Sequence, residues 1–159
     1  MNKAIFLDRD GVINKERGFT HRLEDFEILP GLIDALKLFK QKGYLLIVVS
    51  NQSGVAQNLY KQEEVEVLHK FMSAEFTKNE IKIEEIYYCI HHPTVSNCIC
   101  RKPDSLFIEK SLARFSIDPS TSFFIGDKDR DIEAAQKAGV TGILIQANTP
   151  LLTIMNQIN

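Results

Sequence analysis

A chain of 159 residues fits one domain with a sizeable core. With 44% hydrophobic residues, 25% charged residues, a net charge of −2 and a pI near 6.1, it has an ordinary globular balance, which argues against a broad nucleic-acid footprint or a polybasic membrane anchor. No apolar run approaches the roughly 20 residues needed to cross a bilayer, and "MNKAIFLD" reaches an acid after four apolar residues, unlike a secretory leader, so a cytoplasmic protein is expected.

The first element, "KAIFLD", is an apolar run ending in Asp8. An irregular stretch, "RGFTHRLEDFEILP", then leads to "GLIDALKLFKQKG", where Leu32, Ile33, Leu36 and Phe39 share a helical face and Gly43 is placed to terminate it. "GYLLIVVSN" reads as a second strand, rich in β-branched residues and ending in Ser50 and Asn51, and "KQEEVEVLHKFMSAEF" as the helix after it. "EEIYYCI" is a third strand, followed by a second irregular piece, Cys89 to Pro103. "DSLFIEKSLARF" is a helix with Asp104 as its N-cap, "SFFIGD" a strand ending in Asp127, "DRDIEAAQKAG" a helix closing on glycine, and "TGILIQ" the last strand. Alternating strands and helices, with strands apolar along their whole length, predict an α/β fold: a parallel sheet with helices on both faces. No repeat or linker divides the chain, so 1–159 is expected to form a single domain.

Open α/β sheets bind ligands at the carboxyl ends of their strands. Three strands here end in "LDRDG", "VSNQSG" and "IGDKDRD", which brings Asp8, Asp10, Ser50 and Asp127 to one edge. Asp8 and Asp10, exposed at the strand end, can aim two carboxylates at one point if Gly11 turns the chain, and a divalent cation relieves their repulsion. Mg²⁺ suits such a site, with Asp127 as a further oxygen donor. The alternative is a solvated turn of helix-capping acids. "SNQSG" offers hydroxyl and backbone donors of the kind that bind phosphate oxygens, or is simply a polar loop. Lys102 is either a surface cation or a fixed charge for a transition state.

All three cysteines fall in "CIHHPTVSNCICRKP". Cys89-x-His91 and Cys98-x-Cys100 supply a Cys₃His set, a standard closed tetrahedral Zn²⁺ site. His92 competes with His91 as the nitrogen ligand, and a loop of free thiols is the alternative. The loop is too short and polar to hold itself together, so bound Zn²⁺ would supply its order and fix where Arg101 and Lys102 point.

Together "FLDRDGVIN", "VVSNQSGVA", "CRKP" and "FIGDKDRDIEAA" resemble the four motifs of the haloacid dehalogenase (HAD) superfamily, and within it the histidinol-phosphate and heptose-bisphosphate phosphatase group, over about residues 4 to 146. The resemblance implies a Rossmann-like sheet without a cap domain, carrying a zinc loop at 89–100. It implies an Mg²⁺-dependent phosphomonoesterase with Asp8 as nucleophile, Asp10 as acid and base, and Ser50 and Lys102 holding the phosphoryl group. Asp8, the Asp10 carbonyl and Asp127 would bind Mg²⁺, and Asp131 would organise the site from behind. Substrate contacts would come from Glu16, Arg17, Gly18 and Phe19, from Asn51, Gln52 and Ser53, and from Arg101. "GFTHRLEDFEILPG" and "YYCIHHP" are similar to segments of the heptose 1,7-bisphosphate 7-phosphatases. Arg17 and Arg101 suit the second, non-reacting phosphate of such a substrate. Histidinol phosphate, the alternative, would bring a cationic amine to the same entrance, which only Glu16 or Glu24 could offset. An inactive zinc-stabilised binding module is the alternative from another class. A small sugar phosphate is thus the expected partner, with no nucleic acid, no membrane, and a monomeric state.

Overall fold

The structure, a computed structural model, describes residues 1–158. Five strands form one sheet: β1 (Lys3–Leu7), β2 (Tyr44–Asn51), β3 (Glu85–Cys89), β4 (Phe123–Gly126) and β5 (Thr141–Leu144). Every pairing is parallel and the order is β3-β2-β1-β4-β5. Helices α1 (Leu32–Gln41), α2 (Gln62–Lys78), α3 (Leu106–Arg114) and α4 (Asp129–Lys137) make the crossovers.

Alternation along β1 shows why both faces need cover. Ile5 and Leu7 join the cluster built with Leu36 and Phe39 of α1 and Met72 and Phe76 of α2. Ala4 and Phe6 point the other way, to Ile108 of α3 and Ala134 and Ala135 of α4. The first cluster also takes Leu151 and Ile154 from a 3-10 helix at Leu151–Gln157, which the sequence did not announce. Gly43 follows α1 at φ +84°, the left-handed conformation expected of a terminating glycine. The cap of α3 differs from expectation: its N-cap is Ser105, not Asp104, and Ser105 Oγ bonds Glu109 Oε1 at 2.5 Å.

β1 sits at the centre, where the chain winds first towards β3 and then back towards β5. The loops leaving β1 and β4 therefore diverge to opposite sides, opening a crevice at their carboxyl ends. Among the described residues, only a 3-10 turn (Leu23–Asp25) and α1 lie between Asp10 and the start of β2, so no cap domain is inserted there. Among the described residues no helix is long and apolar enough to cross a membrane.

Candidate active site

Asp8 follows β1 and extends its ladder, its amide donating to Ile125 O at 3.0 Å. Contrary to the exposed strand end expected, it is only 6% exposed, because Lys102 closes over it. Lys102 Nζ lies 2.9 Å from Asp8 Oδ1 and 2.7 Å from Asp131 Oδ1, and donates to Val49 O at 2.8 Å. Its backbone is fixed as firmly: Asn51 donates to Lys102 O and accepts from Lys102 N, both at 3.0 Å. Burial pushes the Asp8 carboxyl up to about 7, against the pull of Lys102 and with the push of Asp131 and Asp10. Burial works against the charge of Lys102 too, but the two carboxylates raise its pKa and keep it a cation.

Asp127 follows β4. Its side chain is 1% exposed, yet neither oxygen has a hydrogen-bond partner among the described residues. Lys128 Nζ, 3.3 Å from Oδ2, is at ion-pair distance without hydrogen-bond geometry. Ligand oxygens of Asp8, Asp127 and Asp131 all lie within 4.8 Å of one another. A buried carboxylate with no donors beside two more carboxylates is what a hard divalent cation satisfies. Gly11 allows this closeness: at φ +84°, a Cβ there would stand 2.7 Å from Asp127 Oδ2. Asp131 also accepts from Lys128 N at 3.1 Å, capping α4.

Asp10 turns away from that cluster. Its Oδ1 accepts from Arg9 Nη2 and Asn14 Nδ2, each at 3.0 Å, and its Oδ2 from Gln52 Nε2, also at 3.0 Å. Gln52 Nε2 reaches Ser50 Oγ as well, at 2.8 Å, and Tyr60 OH donates to Gln52 Oε1 at 2.8 Å, fixing which end of the amide faces the acid. Ser50 itself is 1% exposed at the end of β2.

A pocket of about 90 Å³ opens over these groups, lined by Asp8, Asp10 and Asp127 and by the expected Glu16, Gly18, Phe19, Asn51, Gln52 and Ser53. Four expected residues are not in its lining: Ser50 and Lys102, which are buried behind it, and Arg17 and Arg101. Arg17 is bound to Glu27 in an ion pair, because the turn carries its guanidinium back along the chain. Arg101 donates from Nη1 to His91 O at 3.3 Å, at the rim of the cysteine loop. Glu24 pairs with Arg22 at 3.6 Å. Lys128, Tyr60 and Arg130 line the pocket as well. Arg130 has a buried Nε without a hydrogen-bond partner. Burial, reinforced by the charge of Arg130, lowers the pKa of Arg101.

In the cysteine loop the four expected donors converge. Cys89 Sγ lies 3.1 Å from Cys100 Sγ and 3.7 Å from Cys98 Sγ, and His91 Nδ1 is 3.4 Å from both Cys89 and Cys100. The thiols are unbridged. With Zn–S bonds of about 2.3 Å, donors on a tetrahedron stand roughly 3.8 Å apart, so the set needs only a slight expansion around an ion. His92 takes no part: its Nδ1 lies 2.7 Å from Thr94 Oγ1 at the surface. Burial raises the Cys89 thiol. For Cys98 burial is outweighed by the backbone amides of Cys100 and Arg101, which favour the thiolate. The same amides tie the loop to the segment carrying Lys102.

Known proteins resemble this chain along most of its length. A family model described as HAD-hydrolase-like matches residues 99–149. The D-glycero-alpha-D-manno-heptose-1,7-bisphosphate 7-phosphatase of Campylobacter jejuni is 40% identical over 92% of this chain and 83% of its own length. The D-glycero-beta-D-manno-heptose-1,7-bisphosphate 7-phosphatase of Haemophilus influenzae is 36% identical over 95% of this chain and 85% of its own. The chain belongs to the heptose-bisphosphate phosphatase family of the HAD superfamily. A solved structure of that family, the D,D-heptose 1,7-bisphosphate phosphatase of B. bronchiseptica complexed with magnesium and phosphate, superposes with a TM-score of 0.85 at 29% identity. It covers 97% of this chain and 86% of that one.

Within this heptose-bisphosphate phosphatase fold, Arg9, Tyr60, His69 and Arg130 are the polar residues that sequence reasoning passed over. Arg9 and Arg130 stand inside quoted motifs, but charged residues are mostly exposed and nothing in the spacing marks Arg9 as buried or Arg130 as pocket lining. His69 did leave a signal: it falls on the stripe of Val65, Leu68, Met72 and Phe76 that α2 buries.

Proposed function

We propose that the chain hydrolyses the 7-phosphate of a D-glycero-D-manno-heptose 1,7-bisphosphate through an aspartyl-phosphate on Asp8. The observation that carries this reading is the pairing of a buried Asp8, held by Lys102, with an Asp127 whose two oxygens have no donor. Asp8 and Asp127, with the Asp10 carbonyl, would hold Mg²⁺, and Asp131 is close enough to contribute. Bound there, the cation screens the substrate's phosphate so that a carboxylate can approach phosphorus.

Asp8 attacks phosphorus and the bond from phosphorus to the sugar oxygen breaks. Asp10 gives that oxygen its proton. Asp10 then takes a proton from water, which attacks the aspartyl-phosphate, releases inorganic phosphate and restores the Asp8 carboxylate. Lys102 and Ser50 hold the phosphoryl oxygens through both transfers.

The substrate class rests on two supports. Relatives at 36–40% identity carry this activity in their names. The pocket also places Arg130, which has no ion-pair partner among the described residues, near enough to Arg101 to disfavour its charge. Two such guanidiniums favour an anion between them, and the non-reacting phosphate supplies one. Arg130 thus takes the part that Arg17, bound to Glu27, was expected to play. Histidinol phosphate would bring a cation there. We further assign Cys89, His91, Cys98 and Cys100 to a structural Zn²⁺ that keeps Arg101 and Lys102 in place.

The test is kcat/KM on both anomers of the heptose bisphosphate against histidinol phosphate. A preference of about 100-fold or more for a bisphosphate is expected. Arg130→Ala should cost about 10-fold on the bisphosphate and little on p-nitrophenyl phosphate, which has no second phosphate. Faster turnover of histidinol phosphate overturns the assignment.

A further inference from the structure

We propose that Arg9 is a positioning residue for proton transfer: it fixes which oxygen of Asp10 carries the proton to the leaving group. The inference rests on the phosphatase reading above. Arg9 stands between the two motif acids, is 0% exposed and is the largest fully buried side chain of the fold. One end of its fork, Nη2, donates to Asp10 Oδ1 at 3.0 Å and to Thr20 O at 2.6 Å. The other, Nη1, lies 3.3 Å from Nε2 of His69 on α2. Burial, with the charge of Arg9, lowers His69 to about 3, so its ring is neutral and accepts this bond.

Asp10 Oδ1 accepts a second donor, Asn14 Nδ2, at 3.0 Å. A carboxylate oxygen filled by two N–H donors has no lone pair free for a proton. The transferable proton is therefore confined to Oδ2, whose only donor among the described residues, the Gln52 amide, has Ser50 Oγ as a second acceptor at 2.8 Å. Gln52 can keep the Ser50 bond when Oδ2 is protonated. Thr20 follows the Glu16–Phe19 turn, so the same guanidinium ties the acid to the wall of the pocket. A purely structural role explains this poorly. Arg9 Nε is buried without a hydrogen-bond partner among the described residues, and an apolar side chain would fill the space without that cost.

Leaving groups separate the two roles. A sugar alkoxide must be protonated as it departs, whereas p-nitrophenolate leaves without help. Comparing kcat/KM confines the measurement to steps up to the aspartyl-phosphate, so its hydrolysis, common to both substrates, drops out. Arg9→Lys keeps the charge and loses the fork. It is expected to lose at least about 10-fold more on the heptose bisphosphate than on p-nitrophenyl phosphate, in the pattern of Asp10→Asn. His69→Leu removes one anchor of the fork and should show the same selectivity at about threefold. It covers the case in which Arg9→Lys does not fold, with thermal melts confirming the fold of each variant. Equal losses on both substrates overturn the role of Arg9 and leave the phosphatase reading intact. A wild-type protein that hydrolyses neither substrate overturns both.

Discussion

Asp8 and Lys102 form a pair whose two halves are not equally replaceable. Lys102 neutralises two buried carboxylates, Asp8 and Asp131, at 2.9 and 2.7 Å. Asp8→Asn removes one of these and leaves Lys102 with Asp131, and because burial and the neighbouring acids disfavour a charged Asp8, the cation-free fold should be at least as stable as the wild type. Turnover should fall on the order of 10⁴-fold or more, because the nucleophile is gone. Lys102→Met does the reverse to stability. It strands two buried carboxylates beside Asp127, and removing one partner of a buried ion pair costs about 3–5 kcal/mol. Urea midpoints and kcat on the same two variants check this. A folded Asp8→Asn protein with near wild-type turnover would sink the covalent mechanism, and a Lys102→Met protein as stable as Asp8→Asn would sink the electrostatic account.

The elements show where sequence is informative and where it is not. All five strands were legible as apolar runs, most plainly β1, β2 and β4, because a parallel sheet covered on both faces leaves no polar alternation to read there. The helices were legible from their buried stripes, and the converging acids from the rule that strand ends carry chemistry. The irregular segments were less legible. Arg17 was expected at the pocket from its position after "DRDG", but a side chain in a turn is aimed by its nearest partner, here Glu27. Arg9 and Arg130 lie in motifs, yet only the packed structure shows that Arg9 is enclosed and that Arg130 lines the pocket. The convergence of Cys89, His91, Cys98 and Cys100 was legible because a ligand set is written in residue type and spacing rather than in hydrophobic pattern. Its consequence can be tested. Cys98→Ser should lower stability by about 3 kcal/mol. Turnover should fall about 10-fold rather than vanish, since Asn51 still grips the Lys102 backbone. Metal analysis of protein purified without chelators should find about one zinc per chain, as a closed four-ligand site holds one ion. A zinc-free protein with the same melting curve, or a disulfide between any two of the cysteines, removes the structural-metal assignment.

At the scale of the whole molecule, two buried groups pull stability in opposite directions as pH falls. The folded-state pKa of His69 is depressed to about 3 from 6.5. Below about pH 6.5 the unfolded chain therefore binds a proton that the folded chain refuses, and stability is lost as pH drops. Asp8 is the opposite case. Its folded-state pKa is raised to about 7 from 3.8, so the cation-free folded chain takes up a proton before the unfolded one, and acid favours the fold until both are protonated. A single pH–stability curve mixes the two and says little about either. Comparing wild type with His69→Gln separates them, because the Asp8 contribution is common to both proteins and glutamine still offers Arg9 an acceptor. At about 1.36 kcal/mol per pH unit, the histidine contributes close to zero at pH 7.5 and a penalty of about 2 kcal/mol at pH 5. The stability of His69→Gln relative to wild type should therefore rise by about 2 kcal/mol between those pH values, measured by urea unfolding in chelator-treated buffer. A difference that stays flat with pH would mean that His69 is protonated in the folded state, and it could not then accept the hydrogen bond from Arg9.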